Sequence, residues 1–185
     1  MWRPVVGGKD IARYAPLPKQ SFVHYAPALL DAPRDPAIWI ADEKLIVQEV
    51  RNITLSRRIV ATLDRDKTIC LQTTNAITLK PGVTEWPLSA LLAILNSAAT
   101  NHYFRERFRG NNHISGKQLG LIPIPAATPT EQATLSALVD RILAAKRAGD
   151  EATVKALEAE IDTHVFRLYG LTPEEIQLVQ ESARK

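Results

Sequence analysis

Pro87-Leu88-Ser89-Ala90-Leu91-Leu92-Ala93-Ile94-Leu95-Asn96-Ser97-Ala98-Ala99 is where the period of this 185-residue chain changes. Leu88, Leu91, Leu92, Leu95, Ala98 and Ala99 recur at three- and four-residue spacing, which puts them on one helical face and predicts a helix from Pro87 to about Phe104. Upstream the pattern is different. Lys44 to Val50 and Ile59 to Leu63 are short and β-branched, and Thr68 to Leu79 alternates in part. With Asp64-Arg65-Asp66-Lys67 as turn material, the last two predict a hairpin within a small sheet. The proline-punctuated stretch from Pro16 to Pro36 has no sustained period and is expected to be loop with one short strand, Ser21 to Tyr25. No strand alternates regularly with long helices, which argues against a doubly wound parallel sheet.

Downstream of the helix lies a basic stretch ending in turn residues, Arg105 to His113, and then the extended segment Leu119 to Pro125. Thr128-Pro129-Thr130-Glu131 has the spacing of a capping box with proline at the first helical position, and Leu135, Leu138, Val139, Ile142 and Leu143 form the stripe of the helix it opens. Gly149 breaks that helix, and a second carries Val154, Leu157, Ile161, Val165 and Leu168 up to Gly170, where Thr172-Pro173-Glu174-Glu175 repeats the cap. The expected fold is α+β. Residues 1–125 form a small mixed or antiparallel β domain with a packed helix, and residues 126–185 a helical hairpin plus a short helix packed on it.

Composition narrows the class. With 45% hydrophobic and 23% charged residues the chain is globular, and a lone cysteine, Cys70, closes no internal disulfide. Without a basic-then-apolar leader or a run of about 18 apolar residues, the expected compartment is the cytoplasm and no membrane partner is expected. The net charge of +3 conceals an asymmetry. Residues 1–125 hold 16 Lys/Arg against 10 Asp/Glu, a net of +6, and residues 126–185 hold 7 against 10, a net of −3. A basic portion attracts phosphate backbones, whereas an acidic helical portion more naturally meets protein or solvent.

Catalytic constellations are missing. His24, His102, His113 and His164 lack the close spacings of metal ligands, and Cys70 between Ile69 and Leu71 reads as a buried small side chain, so no metal is expected. Gly110 to Gln118 resembles a phosphate loop only superficially: five residues separate its glycines, Gln118 replaces the Ser/Thr, and it follows a helix. The Gly7-Gly8-Lys9 turn lacks the third glycine of a dinucleotide site. Asp42/Glu43 and Asp64/Asp66 are expected to be solvated turns rather than a nuclease centre. What remains is a binding module that is not itself an enzyme. Double-stranded DNA is the partner its residues suit best. Arg105, Arg107, Arg109 and Lys117 suit phosphates, and Arg57, Arg58, Asn111, Asn112 and Gln118 suit base edges. Arg51, His113 and Ser115 lie beside them.

Several stretches together resemble the TaqI-like C-terminal specificity domain of adenine-specific DNA methyltransferases and type IIG restriction-modification enzymes. They are Gly8-Lys9-Asp10-Ile11-Ala12-Arg13-Tyr14, Lys44 to Arg51, Leu91 to Ser97, and Lys117-Gln118-Leu119 running into Ile122-Pro123-Ile124-Pro125. Leu157 to Asp162 and Leu168 to Ile176 are similar to the helical end of these enzymes. The resemblance implies a target-recognition domain that reads DNA beside an adenine flipped out by a catalytic domain. That domain's Asn-Pro-Pro-Tyr-type motif and S-adenosylmethionine site do not occur here. The chain is therefore expected to bind no cofactor and to work with a methyltransferase domain or subunit that does. Two alternatives stand beside this: a fragment like the specificity subunits of type I systems, and a protein-interaction module whose acidic helices, Pro129 to Tyr169, dock a catalytic subunit. The resemblance assigns no base-reading residue, because recognition loops in this family vary with target.

Overall fold

Leu45, Ile46 and Val47 are all fully buried, so the strand that carries them, Lys44–Gln48 (β3), is covered on both faces. The computed structural model describes residues 1–30, 35–82 and 85–184. In it β3 is the centre of a three-stranded antiparallel sheet between Ala61–Asp64 (β4) and Thr74–Ile77 (β6). A second sheet has Trp2–Val6 (β1) at its centre, antiparallel to Phe22–His24 (β2) and parallel to Ile69–Cys70 (β5). Successive side chains of β3 point opposite ways. Leu45 and Val47 join the main core, while Ile46 packs with Val6, Ile11, Val60 and Cys70 in a smaller one. The expected loop from Pro16 to Pro36 contains β2, and its residues 31–34 lie outside the described residues.

The expected hairpin between Ile59 and Leu79 does not form. β4 and β6 each pair with β3, and β5 between them leaves to join β1. The physical reason is Asp64, which is no solvated turn residue. It stands opposite Lys44 in the β3–β4 register, the two side chains are fully buried, and Lys44 Nζ lies 2.7 Å from the carboxylate. Lys44 also donates to the Trp39 carbonyl at the end of the short helix Pro36–Trp39 (α1), and Asp64 accepts from the Thr68 amide and hydroxyl. A buried pair satisfied on both sides pins one register, and it turns the chain away after β4. Asp42, Asp66 and Glu43 do make exposed pairs, with Lys67, Lys19 and Arg65.

The predicted helix from Pro87 to Phe104 is two helices, Leu88–Asn96 (α2) and Ala98–Arg107 (α3), parted at Ser97. Ser97 is extended (ψ 158°) and its hydroxyl caps the Thr100 amide at 3.2 Å. The break serves Asn96, whose Oδ1 accepts from the Ala61 amide and whose Nδ2 donates to the Ala61 carbonyl, both at 3.0 Å. Asn101 likewise accepts from the Ile59 amide at 2.7 Å. The edge of β4 at Ala61 and the chain leading into it at Ile59 are thus finished by two amide side chains and the Tyr14 backbone amide instead of a further strand.

Gly116–Leu119 (α4) is a single capped turn where extended chain was expected to begin. Pro129–Ala148 (α5), Glu151–Leu168 (α6) and Pro173–Arg184 (α7) follow, α5 opening on the Thr128–Glu131 capping box. Gly149 and Gly170, in left-handed conformation, end α5 and α6. Leu135, Val139 and Ile142 of α5 and Leu157, Ile161 and Val165 of α6 share one cluster with Leu45, Ile59, Leu92 and Ile94. A single core therefore runs across the boundary at residues 125 and 126.

Candidate nucleic-acid interface

Two long connections meet at one end of the β3 sheet: Glu49 to Val60, between β3 and β4, and Phe108 to Ser115, between α3 and α4. Backbone bonds clamp them together. The Arg51 amide donates to the Asn112 carbonyl at 2.9 Å, the Ile114 amide to the Glu49 carbonyl at 2.7 Å, and Val50 and His113 form a bridge. Ile114 is buried beneath the junction, while Asn52 to Leu55 and Arg109 to His113 are exposed. The result is a polar edge of two fixed loops with the residues of α4 beside it.

The amides of this edge share a pattern. Asn111 Oδ1 accepts from the His113 amide at 2.8 Å, Asn112 Oδ1 from the Ile53 amide at 3.0 Å, and Asn52 Oδ1 from Thr54. Gln118 Oε1 accepts from the Ser115 amide in a capping box. A backbone N–H needs an oxygen acceptor, so these bonds fix which end of each amide faces the loop. In all four the NH2 group has no partner among the described residues. These four amide side chains accordingly present their donors and use their oxygens within the loops. Asn52 was missed by the sequence reading; its only sequence signal is a place between Arg51 and the basic pair Arg57-Arg58.

The cations of the expected set differ in their burial and in their partners within the protein. Arg57 and Arg58 are adjacent in extended chain and point opposite ways. Arg58 is 1% exposed, lies over the Phe104 ring at 5.8 Å and donates to the Asn111 carbonyl at 2.7 Å, so it braces the edge from within. Arg57 turns towards α6, with its guanidinium 3.6 Å from Asp162. Burial lowers the proton affinity of both guanidiniums. Arg105 is fastened to the carbonyl and hydroxyl of Ser182 in α7. Arg109 pairs with Glu106 on the exposed surface. Arg107, stacked on Phe108, and Lys117 have no carboxylate partner among the described residues and are exposed. Arg58, Arg105 and Arg109 line one hollow of about 220 Å³. Lys117 and Gln118 stand apart on α4.

Other quoted stretches form the scaffold beneath. A Cβ at Gly8 would fall 2.7 Å from the Thr73 carbonyl, so only glycine lets β1 run into its 3-10 turn there. Arg13 pairs with Glu158 at 2.7 Å, and Arg13 and Arg57 both reach the Asn96 carbonyl at the end of α2. Asp162 accepts from the Ala98 amide at 2.7 Å, and burial nevertheless raises its pKa. Tyr169 donates to the Pro123 carbonyl at 2.7 Å, which fixes the Ile-Pro-Ile-Pro segment against the end of α6. Among the described residues no group of three or more His, Cys, Asp or Glu could hold a metal ion, and no helix is long and apolar enough to cross a membrane.

A family model, the TaqI-like C-terminal specificity domain, matches residues 3–124. The chain belongs to this family. Its Gly8–Tyr14, β3 and Leu-Asn-Ser stretches are the scaffold of a TaqI-like specificity domain, and the two-loop edge is borne on that scaffold. Seventeen chains of solved structures also match significantly. One, from a study entitled "Structure of Type IIL restriction-modification enzyme MmeI in complex with DNA has implications for engineering of new specificities", has 13% identity and a TM-score of 0.64. The alignment covers 99% of this chain and 30% of that one, so a part of that longer chain shares the fold of this one, C-terminal helices included. No curated protein matches significantly.

Proposed function

We propose that this chain is a sequence-specific DNA recognition module of a restriction-modification system, with the two-loop edge turned to the major groove. Arg107, Arg109 and Lys117 meet phosphates. Asn52, Asn111, Asn112 and Gln118 offer their NH2 groups to base edges. Arg57, Arg58 and Arg105 hold the frame. Membership of the specificity-domain family and the DNA complex of MmeI support this reading. The single observation that carries it is the set of four amides whose oxygens are spent on loop backbone and whose donors are left outward. Acceptors in the major groove are richest on guanine, with N7 and O6 side by side. Amides that offer their donors but not their oxygens therefore favour guanine-bearing targets. Methyl transfer, in the cytoplasm and from S-adenosylmethionine, falls to a methyltransferase domain or subunit that this module positions on its site. The module itself performs no chemistry.

The test is titration of a fluorescent duplex with the full chain at several salt concentrations. Affinity falls linearly with salt on a log–log plot, and Arg107→Ala and Lys117→Ala each reduce the slope by about 1. Absence of any binding at about 50 mM salt, where phosphate contacts are strongest, contradicts the reading.

A further inference from the structure

Beside the two-loop edge, the segment Ile11 to Arg13, the start of β4's approach at Arg57 and the elbow between α5 and α6 enclose a solvent-open cleft of about 350 Å³. Arg13, Arg51, Arg57, Lys146 and Lys155 line it, against two carboxylates, Glu151 and Glu158. Both carboxylates are engaged. Glu158 pairs with Arg13 at 2.7 Å and Glu151 with Lys146 at 3.0 Å, while Arg57 has Asp162 at its back. Arg51 and Lys155 have no carboxylate partner among the described residues. Arg51 is held instead by neutral oxygens, Gln48 Oε1 at 3.0 Å and the Arg57 carbonyl. Burial, and after it the proximity of Arg13, weakens its hold on its proton. Like charges gathered against a desolvated guanidinium repel one another, and an incoming anion relieves that repulsion.

We infer that this cleft is a second phosphate site, taking a backbone phosphate of the same duplex through Arg51 and Lys155. The inference rests on the DNA reading above and adds to it a contribution from the helical hairpin, the part of the chain whose net charge is negative. Arg51 makes the connection. Its backbone amide holds Asn112 of the two-loop edge while its side chain lines the cleft, so the two surfaces are continuous. Lys155 is exposed on α6 and its side chain has no bonding partner among the described residues, which makes it the clean probe.

Duplex binding by the full chain, in unmodified, Lys155→Gln, Lys155→Arg and Arg107→Ala forms, tests this, together with an NMR titration that follows the arginine Nε–Hε signals with inorganic phosphate and then with duplex. Lys155→Gln is expected to weaken duplex binding roughly three- to tenfold and to lower the salt slope by about 1, equally for a preferred and a scrambled sequence. Lys155→Arg restores both, and phosphate and duplex shift the same Arg51 signal. Unchanged affinity and slope in Lys155→Gln, with a reduced slope in Arg107→Ala, sinks the cleft and leaves the edge standing. A shift of Arg51 with phosphate but not with duplex overturns the assignment to a DNA backbone. If the unmodified chain binds no duplex, the edge reading fails, and the duplex assignment of the cleft fails with it.

Discussion

Asn96 and Asn112 do opposite things with the same side chain. Asn96 is buried and spends both ends of its amide on Ala61, closing the edge of β4. Asn112 is exposed, spends its oxygen on Ile53 and has an NH2 without a partner among the described residues. The difference extends to the regions around them. The stretches that resemble the family, around Arg13, Asn96 and Tyr169, are bonded inward and hold the fold. The edge at Asn52 and Asn111 to His113 is bonded just enough to be rigid, which leaves donors for a partner. A recognition domain needs both conditions, since contacts to bases are specific only when the groups that make them are already in place.

The comparison breaks most visibly in the scaffold. Lys44→Met leaves the Asp64 carboxylate buried and unpaired and is expected to cost about 3–5 kcal/mol in urea unfolding, with much of that recovered in Lys44→Met/Asp64→Leu. If the single substitution is nearly neutral, the pair does not set the register. Asn96→Leu leaves the Ala61 amide without its partner, while the Ala61 carbonyl keeps the Tyr14 amide, and a loss of about 1–3 kcal/mol is expected from one buried group of that kind. The edge should behave otherwise. Asn112→Asp keeps the oxygen that accepts from Ile53, removes the outward donor and adds an exposed negative charge, so stability should stay within about 0.5 kcal/mol while DNA selectivity falls. A loss of stability comparable to that of Asn96→Leu would place Asn112 in the scaffold.

The smallest effect is the most diagnostic of environment. Burial acts to raise the pKa of Asp64, but Lys44 and Thr68 together outweigh it and the pKa is lowered on folding. Its contribution to stability is therefore present above the ordinary aspartate range, near about 4, and is lost as pH falls through the folded value. Asp162 has the opposite sign. Burial outweighs the Ala98 amide and the nearby arginines, so its contribution is present below that range and is lost as pH rises through the raised folded value. Urea midpoints measured against pH should show a shallower acid limb for Asp64→Asn. For Asp162→Asn, which keeps an oxygen for Ala98, the fall in stability above pH about 4 should be reduced. Identical profiles for the two would show that the two carboxylates do not differ in environment.

Much of this fold is legible in the sequence. The caps at Thr128 and Thr172 and the stops at Gly149 and Gly170 are local signals, and local bonds honour them. The break at Ser97 was hidden because the leucine and alanine spacing continues smoothly across it, and the side chain that demands the break bonds a strand 35 residues away. Strand partners were misread for a similar reason. Asp64-Arg65-Asp66-Lys67 has turn composition, and only the burial of Lys44 reveals that Asp64 faces inward. At the edge, charge draws attention to these stretches, but the partners of their side chains cannot be read from it. Nothing in Arg57-Arg58 says which guanidinium is internal, and the anchor of Arg105 on Ser182 spans 77 residues. That four amides would keep their donors free depends on how the loops close.

The central claim is that the free amide donors of the two-loop edge read sequence. Its most direct test is selection of a preferred duplex from a randomised pool by the full chain, followed by affinities of the unmodified and Asn112→Asp chains for that duplex and a scrambled one. The added negative charge weakens both complexes alike, so the ratio isolates base reading. A guanine-containing preference, with a ratio that falls roughly 5- to 100-fold in Asn112→Asp, is the predicted result, corresponding to about 1–3 kcal/mol for a base contact. A ratio unchanged by the substitution would contradict it.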